Sequence, residues 1–133
     1  MKTKILSMVL ACVCVGNLRA DDNALDEENA ISALAEVNAL REARGQHPFV
    51  YDEGLARAAA GCAAWRADRL MEGHTPNDFA ALPPGVHARS AGCAAWHPSL
   101  GWGSCCIHDQ GTYAGAAWVM GRNGKRHMHL FVR

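Results

Sequence analysis

Residues 52–74 constrain the fold most, because small apolar side chains recur there at helical spacing. One face of the predicted helix consists of Ala56, Ala60, Ala63, Ala67 and Leu70. Asp52 can cap the first amides, and Gly73 can adopt the left-handed turn that ends the helix. Since this face is nearly all methyl groups, we expect a close contact with large partners, with the tryptophans and the C-terminal strands as candidates. His74 follows the predicted helix end, where it can project into a cleft.

The remaining segments predict another helix, a long loop and a C-terminal hairpin. Residues 26–44 carry an apolar stripe at helical spacing, with acidic residues at the start and arginines at the end. Prolines and glycines interrupt residues 75–109, although residues 88–96 could form a turn or two of helix. Two antiparallel strands are expected over 111–120 and 125–133, joined by a turn containing Asn-Gly. This order predicts one small domain of the α+β class.

Residues 1–20 have the pattern of a secretory signal peptide. Lys2 and Lys4 precede an apolar stretch, and Ala20 precedes two aspartates. The apolar stretch is too short to span a bilayer, which takes about 20 residues. We therefore expect a secreted or periplasmic protein with no transmembrane span after cleavage, and lipid anchoring at Cys12 is an alternative.

Cleavage would leave a loose leader over residues 21–30 and a folded domain over residues 31–133. The loss of Lys2, Lys4 and Arg19 leaves 10 basic and 13 acidic residues, which is a net charge of −3 with neutral histidines. A chain with this balance offers no basic patch, so the sequence argues against nucleic acid as a partner.

Four cysteines would remain, namely Cys62, Cys93, Cys105 and Cys106. An even count in a small exported domain predicts two disulfides. A bond between the adjacent pair would be strained, because disulfides usually separate Cα atoms by roughly 5.5 Å. We therefore expect Cys62 and Cys93 each to bond to one of the adjacent pair, in either combination.

A series of short motifs runs from about residue 31 to residue 131. The motifs are Asn38-x-x-Arg41-x-x-x-Gly45, Pro48-Phe49-x-Tyr51-Asp52, Gly73-His74-Thr75-Pro76-Asn77, Trp96-x-x-Ser99-x-Gly101, Gly115-Ala116-Ala117-Trp118 and Asn123-Gly124. In this order they resemble a divergent, bacterial-type member of the CAP superfamily, which includes cysteine-rich secretory proteins, antigen 5 and pathogenesis-related proteins of group 1. The resemblance implies an α/β/α sandwich with a C-terminal antiparallel hairpin.

The chain departs from this family at its metal site. Members often line a cleft with two histidines and two glutamates, which in some members hold a divalent metal. Here only His74 matches, because Gly101 is followed by Trp102 and no glutamate occurs after Glu72. The resemblance therefore implies a binding module with a degenerate metal site and no cofactor. Its ligand would be a lipid, an envelope component or another protein.

An alternative is a hydrolase or metal-dependent enzyme with a rearranged site. His74 and His129 are the best candidate pair, because the last strand would pass beside the cleft in the family fold. His127 and His129 share a strand face and could hold one metal, although a polar strand face is the simpler interpretation. Zinc would need further ligands, for which the candidates are His97, His108 and Asp109.

Two other features have a chemical and a structural interpretation. Cys105 lies three residues before His108, which could make a thiol nucleophile with a histidine base, but a disulfide-bonded loop is the simpler explanation. The tryptophans could line an apolar ligand groove or fill a small core. These are Trp65, Trp96, Trp102 and Trp118.

Overall fold

The computed structural model describes residues 19–133, with side chains from residue 27 onward. The predicted signal peptide therefore lies outside the described residues except for its last two positions, and so does the alternative anchor Cys12. Within the described part of the chain, no helix combines the length and apolar character needed to cross a membrane.

Two helices and a four-stranded mixed sheet form a small domain, which agrees with the predicted α+β class. In chain order the elements are α1 (Arg19–Glu42), β1 (Val50–Tyr51), α2 (Glu53–Arg69), β2 (Ser90–Trp96), β3 (Tyr113–Met120) and β4 (Arg126–Val132). The strands lie in the order β1-β3-β4-β2, where β1 and β3 are parallel and the other pairs are antiparallel. Short 3₁₀ turns follow α2 at Asp78–Ala81 and follow β2 at Pro98–Leu100.

Each face of the sheet packs against one helix. On one face Leu34 and Val37 of α1 meet Met128 and Leu130 of β4. On the other face the alanines of α2 meet alternate residues of the same strands, including Phe131. We call these the α1 face and the α2 face. All seven residues of β4 are buried, because this strand is covered on both faces and paired on both edges.

Helix α1 is longer at its start than the sequence suggests. It begins at Arg19 rather than at residue 26, and its backbone includes residues 21–30, which the sequence predicts as a leader. At the other end it stops at Glu42, and Gly45 adopts a positive φ of 71° in the turn that follows. This turn directs the chain into β1.

Helix α2 begins as predicted but ends earlier. The Asp52 carboxylate accepts a hydrogen bond from the Leu55 amide at 2.9 Å, so the predicted N-cap is confirmed. The predicted end at Gly73 is wrong, because Leu70 takes the left-handed conformation with φ 54°. The Arg66 carbonyl then accepts from the Met71 amide, which closes the helix and folds the next segment back.

The alanine face of α2 lies directly on the backbone of β3. A Cβ added to Gly115 would sit 2.0 Å from the Ala56 amide nitrogen, so only glycine permits this approach. The expected contact with the C-terminal strands is therefore present. The expected contact with tryptophans is not, because Trp102 and Trp118 belong to the α1 face.

Residues 88–96 do not form the predicted helical turn. Residues 90–96 form strand β2, which pairs with β4 along its whole length from Ser90 opposite Val132 to Trp96 opposite Arg126. The backbone hydrogen bonds with β4 stabilise the extended conformation of this segment, because its small residues have little preference for a strand themselves. The predicted hairpin is confirmed, with β3 and β4 joined through residues 121–125.

Candidate functional site

The segment after α2 carries His74 and Asp78 at one end of the α2 face. The buried guanidinium of Arg66 holds this segment by donating hydrogen bonds to the Gly73 carbonyl and, at 2.9 Å, to Asp78 Oδ1. Thr75 donates to the same carboxylate oxygen from its hydroxyl at 2.7 Å and from its amide at 3.3 Å. The carboxylate is therefore fixed before any ligand arrives.

Asp78 is an ionised, well-satisfied carboxylate. Its side chain is only 8 % exposed. Burial alone would raise the pKa of Asp78, but hydrogen bonds from His74, Thr75 and Arg66 outweigh burial and lower it well below the ordinary value. The negative charge persists at neutral pH and is directed at the histidine.

His74 joins this carboxylate to a cysteine. Nδ1 of His74 lies 2.6 Å from Asp78 Oδ2, and Nε2 lies 3.3 Å from the Sγ atom of Cys105. Because an ionised carboxylate can only accept, Nδ1 carries the proton and Nε2 is free to accept the thiol proton. The three side chains have the order nucleophile, base and orienting carboxylate that characterises covalent catalysis by cysteine or serine.

Cys105 is brought to His74 by the loop between β2 and β3. Its Sγ atom also lies 3.7 Å from the Ala91 carbonyl of β2, and the residue is exposed. The histidine in contact with Cys105 is therefore His74, and not the His108 that the sequence suggests. His108 instead contacts Gln46, with 2.5 Å between Nδ1 and Oε1.

Cys93 lies close to the same histidine and carboxylate. One donor atom from each of His74, Asp78 and Cys93 can be chosen so that all three lie within 4.8 Å of one another. Imidazole, carboxylate and thiolate are the ligand types that zinc uses in proteins. The family pattern of two histidines and two glutamates does not fit the residues present, since His74 is its one match and this group uses other donors.

His129 is fully buried beside this group. It is the direct cross-strand partner of Cys93, so the two side chains share the α2 face. Neither ring nitrogen of His129 has a hydrogen-bond partner among the described residues. Burial, together with the positive charge of Arg66, lowers the pKa of His129 to about 4, so the ring is neutral at pH 7.

The structure brings His74 and His129 to the same region. Cys93 connects the two rings, because it belongs to the group with His74 and is the cross-strand partner of His129. The burial of the histidines on β4 was not predicted from the sequence. The predicted polar strand face is wrong, because His127 and His129 are both 0 % exposed beneath the α2 layer. His127 does not join the group, since its nitrogens lie 3.0 Å from the Met71 carbonyl and 3.4 Å from Asn123 Oδ1.

The other predicted ligands lie elsewhere. His97 bonds to the Ser99 hydroxyl at 2.8 Å, and Asp109 forms an ion pair with Arg89 at 3.2 Å. Asp78 is not among the residues predicted from the sequence, and its spacing of four residues from His74 is the one sequence signal that points to it.

The four cysteines in the described part of the chain are free thiols, so the structure contains neither of the two predicted disulfides among these residues. The sheet separates them: Cys106 is buried on the α1 face, while Cys62 and Cys93 lie on the α2 face. Burial raises the pKa of Cys62 to about 11, that of Cys106 to about 12, and that of Cys93 in the same direction.

A cavity of about 540 Å³ adjoins Asp78 and Arg66 and is lined by residues of α2 and of the segment that follows it. Its apolar walls include Trp65, Pro76 and Ala80, and the exposed ring of Phe79 lies next to them in sequence. Another cavity, of about 730 Å³, lies along α2 and is lined in part by Trp118. Trp102 is buried and Trp96 is exposed, so the tryptophans divide between the core, the cavities and the surface.

Comparison of the chain with protein-family models, with curated proteins and with solved structures finds no match.

Proposed function

We propose that this protein is a thiol-dependent enzyme of the acyl-transfer class, with Cys105 as nucleophile, His74 as general base and Asp78 as the group that orients the base. The observation that carries the proposal is the row of contacts from Cys105 Sγ to His74 Nε2, 3.3 Å, and from His74 Nδ1 to Asp78 Oδ2, 2.6 Å. Such a row activates a thiol because the imidazole removes its proton as the sulfur attacks.

The proposed reaction has two balanced steps. The sulfur of Cys105 attacks the carbonyl carbon of an ester or thioester, its proton passes to His74 Nε2, and the leaving group departs with that proton. The acyl group is then held on Cys105 as a thioester. His74 next removes a proton from water, which attacks the thioester and releases the acid and the thiol.

Two features support this assignment over a chance surface contact. The carboxylate of Asp78 is anchored by Arg66, whose side chain is 2 % exposed, so the orientation of His74 does not depend on a mobile group. Cys105 is exposed, so a substrate can reach its sulfur.

The test is acylation of the reduced, chelator-treated protein by para-nitrophenyl acetate and by an acyl thioester. We expect an acyl adduct on Cys105 by intact mass and steady release of product. Cys105→Ser should abolish both, and His74→Gln should slow acylation by about 10²- to 10⁴-fold, the usual contribution of a general base. Cys106→Ser is the matched control, because that thiol is the adjacent residue but is buried on the α1 face.

Equal acylation rates in the wild type and in His74→Gln would contradict the proposal, because Cys105 would then be only an exposed thiol. Circular dichroism must show that each variant is folded.

The second candidate is an exported binding module for a lipid, an envelope component or a protein, with the divergent CAP-type sandwich that the sequence resembles. A helix on each face of the sheet and the closing hairpin support this proposal, and the apolar cavity beside Trp65 favours a ligand with a hydrocarbon portion. Titration with a fluorescent fatty acid tests it. Ala80→Trp should fill the cavity and weaken binding, and unchanged affinity would count against this function.

A further inference from the structure

The group formed by His74, Asp78 and Cys93 is only partly used by the proposed chemistry. Cys93 takes no part in the thiol reaction, and the buried ring beside it, His129, has no partner at either nitrogen. A buried polar group without a hydrogen bond costs about 1–3 kcal/mol, and such groups usually have a bound ligand or a chemical role.

We infer that His74, Asp78 and Cys93, with the imidazole of His129 beside them, form a binding site for a thiophilic divalent cation, of which Zn²⁺ is the representative. This site shares His74 and Asp78 with the proposed Cys105 reaction and adds Cys93 in place of the Cys105 sulfur, and its existence does not depend on that activity.

The distances suit such an ion after small movements. Ligand bonds of roughly 2.0–2.3 Å in a tetrahedral zinc site place donor atoms roughly 3.3–3.8 Å apart. The three donors lie within 4.8 Å of one another, so side-chain rotations of about an ångström would complete the geometry. The His74 side chain is 49 % exposed, so its ring can rotate by that amount without displacing core residues.

The charges also suit a divalent cation. The carboxylate of Asp78 is already ionised, and a metal-bound Cys93 thiolate would supply a second negative charge that balances Zn²⁺. Burial raises the pKa of the free Cys93 thiol, so the cation must displace its proton on binding. Neither ring nitrogen of His129 has a hydrogen-bond partner among the described residues, so no protein group competes with a cation for this ring.

Cation binding would affect the proposed enzyme. A cation held by His74 removes the base from Cys105, since the ring cannot hold the metal and accept the thiol proton at the same nitrogen. Zn²⁺ is therefore expected to slow acylation of Cys105, although the direct test does not use activity.

The test is titration of the reduced, metal-free chain with Co²⁺. We expect intense visible bands typical of tetrahedral coordination, a thiolate-to-cobalt charge-transfer band in the near ultraviolet, and loss of both when Zn²⁺ is added. Cys93→Ser should remove the charge-transfer band. His74→Ala and His129→Phe should each weaken Zn²⁺ binding by at least 10-fold in competition with a chromophoric chelator. Cys106→Ser should leave both signals unchanged, because that thiol faces the other helix.

The absence of any charge-transfer band in the wild type would overturn the inference. So would a band that persists in Cys93→Ser or that is lost only in Cys105→Ser, since the thiolate would then come from another residue. If Cys93→Ser does not fold, the Zn²⁺ affinity of His74→Ala tests the inference instead, because this exposed side chain can be removed with little cost to the core. Unchanged Zn²⁺ affinity in that variant would overturn the inference too.

Discussion

Asp78 controls the site at the scale of single residues. It accepts hydrogen bonds from Arg66 and Thr75 through one oxygen and faces His74 with the other. Replacement by asparagine keeps the shape but removes the charge and offers His74 a side chain that can also donate. The ring could then present its proton to Cys105 instead of a free lone pair.

We expect Asp78→Asn to slow acylation of Cys105 by at least 10²-fold, because the wrong tautomer of His74 cannot act as a base. The variant should also unfold at lower urea concentration, since Arg66 would lose its charged partner in a buried position. Acylation kinetics with para-nitrophenyl acetate and urea denaturation measure the two effects. An acylation rate equal to that of the wild type would contradict the orienting role.

The buried ring of His129 predicts a pH dependence of stability. Its pKa is about 4 in the folded protein and about 6.5 in the unfolded chain, so only the unfolded chain binds a proton between these values. The stability is therefore complete above pH 6.5 and is lost as the pH falls towards 4, by about 3 kcal/mol in total. The pKa of Asp78 is also depressed, which adds a further loss below about pH 4.

Urea denaturation across this pH range, in the presence of a chelator, measures the effect. In His129→Phe the slope between pH 6.5 and 4 should flatten, while the loss at lower pH should persist. A variant that keeps the wild-type slope would show that another group takes up the proton.

At the scale of elements, helix α2 and strand β3 approach each other backbone to backbone at Gly115. A methyl group at Gly115 would overlap the backbone of Ala56, and helix backbone cannot yield as a flexible side chain can. Gly61, in the middle of α2, offers a matched comparison because a Cβ there would meet nothing within 4 Å.

Gly115→Ala should therefore destabilise the domain by about 3 kcal/mol or more, the upper range for overpacked cores. Gly61→Ala should stabilise it by up to about 1 kcal/mol through helix propensity. Chemical denaturation of both variants gives the two free energies of unfolding. Equal small effects would mean that α2 stands further from the sheet than the structure shows.

At the scale of the whole molecule, the sheet divides the thiols into classes of reactivity. Cys105 is exposed, Cys62 and Cys93 are half-buried with raised pKa values, and Cys106 is buried on the α1 face. We expect a thiol-specific disulfide reagent to modify Cys105 first, Cys62 and Cys93 more slowly, and Cys106 only when urea unfolds the chain. Peptide mapping after timed quenching identifies each thiol, and simultaneous modification of all four would contradict this arrangement.

The sequence was sufficient to predict the elements that are encoded by patterns of a few neighbouring residues. Short stretches of sequence show the helical spacing of apolar residues in α1, the Asp52 cap of α2 and the Asn-Gly turn. Strand β2 was not predictable in this way, because its small side chains show no alternation and its conformation comes from pairing with β4. His74 could be named as a candidate from the sequence, whereas Asp78 begins a 3₁₀ turn whose position depends on the hydrogen bond from Arg66.

The central position of β4 has a consequence for the order of folding during synthesis. This strand pairs with β2 and β3 and supplies the sheet residues on which both helices pack, yet it follows every other described element in the sequence. Until the ribosome has released it, the alanine face of α2 and the edge of β2 remain without partners. The nascent chain must therefore be protected from self-association until this strand emerges, and folding then completes in one late step.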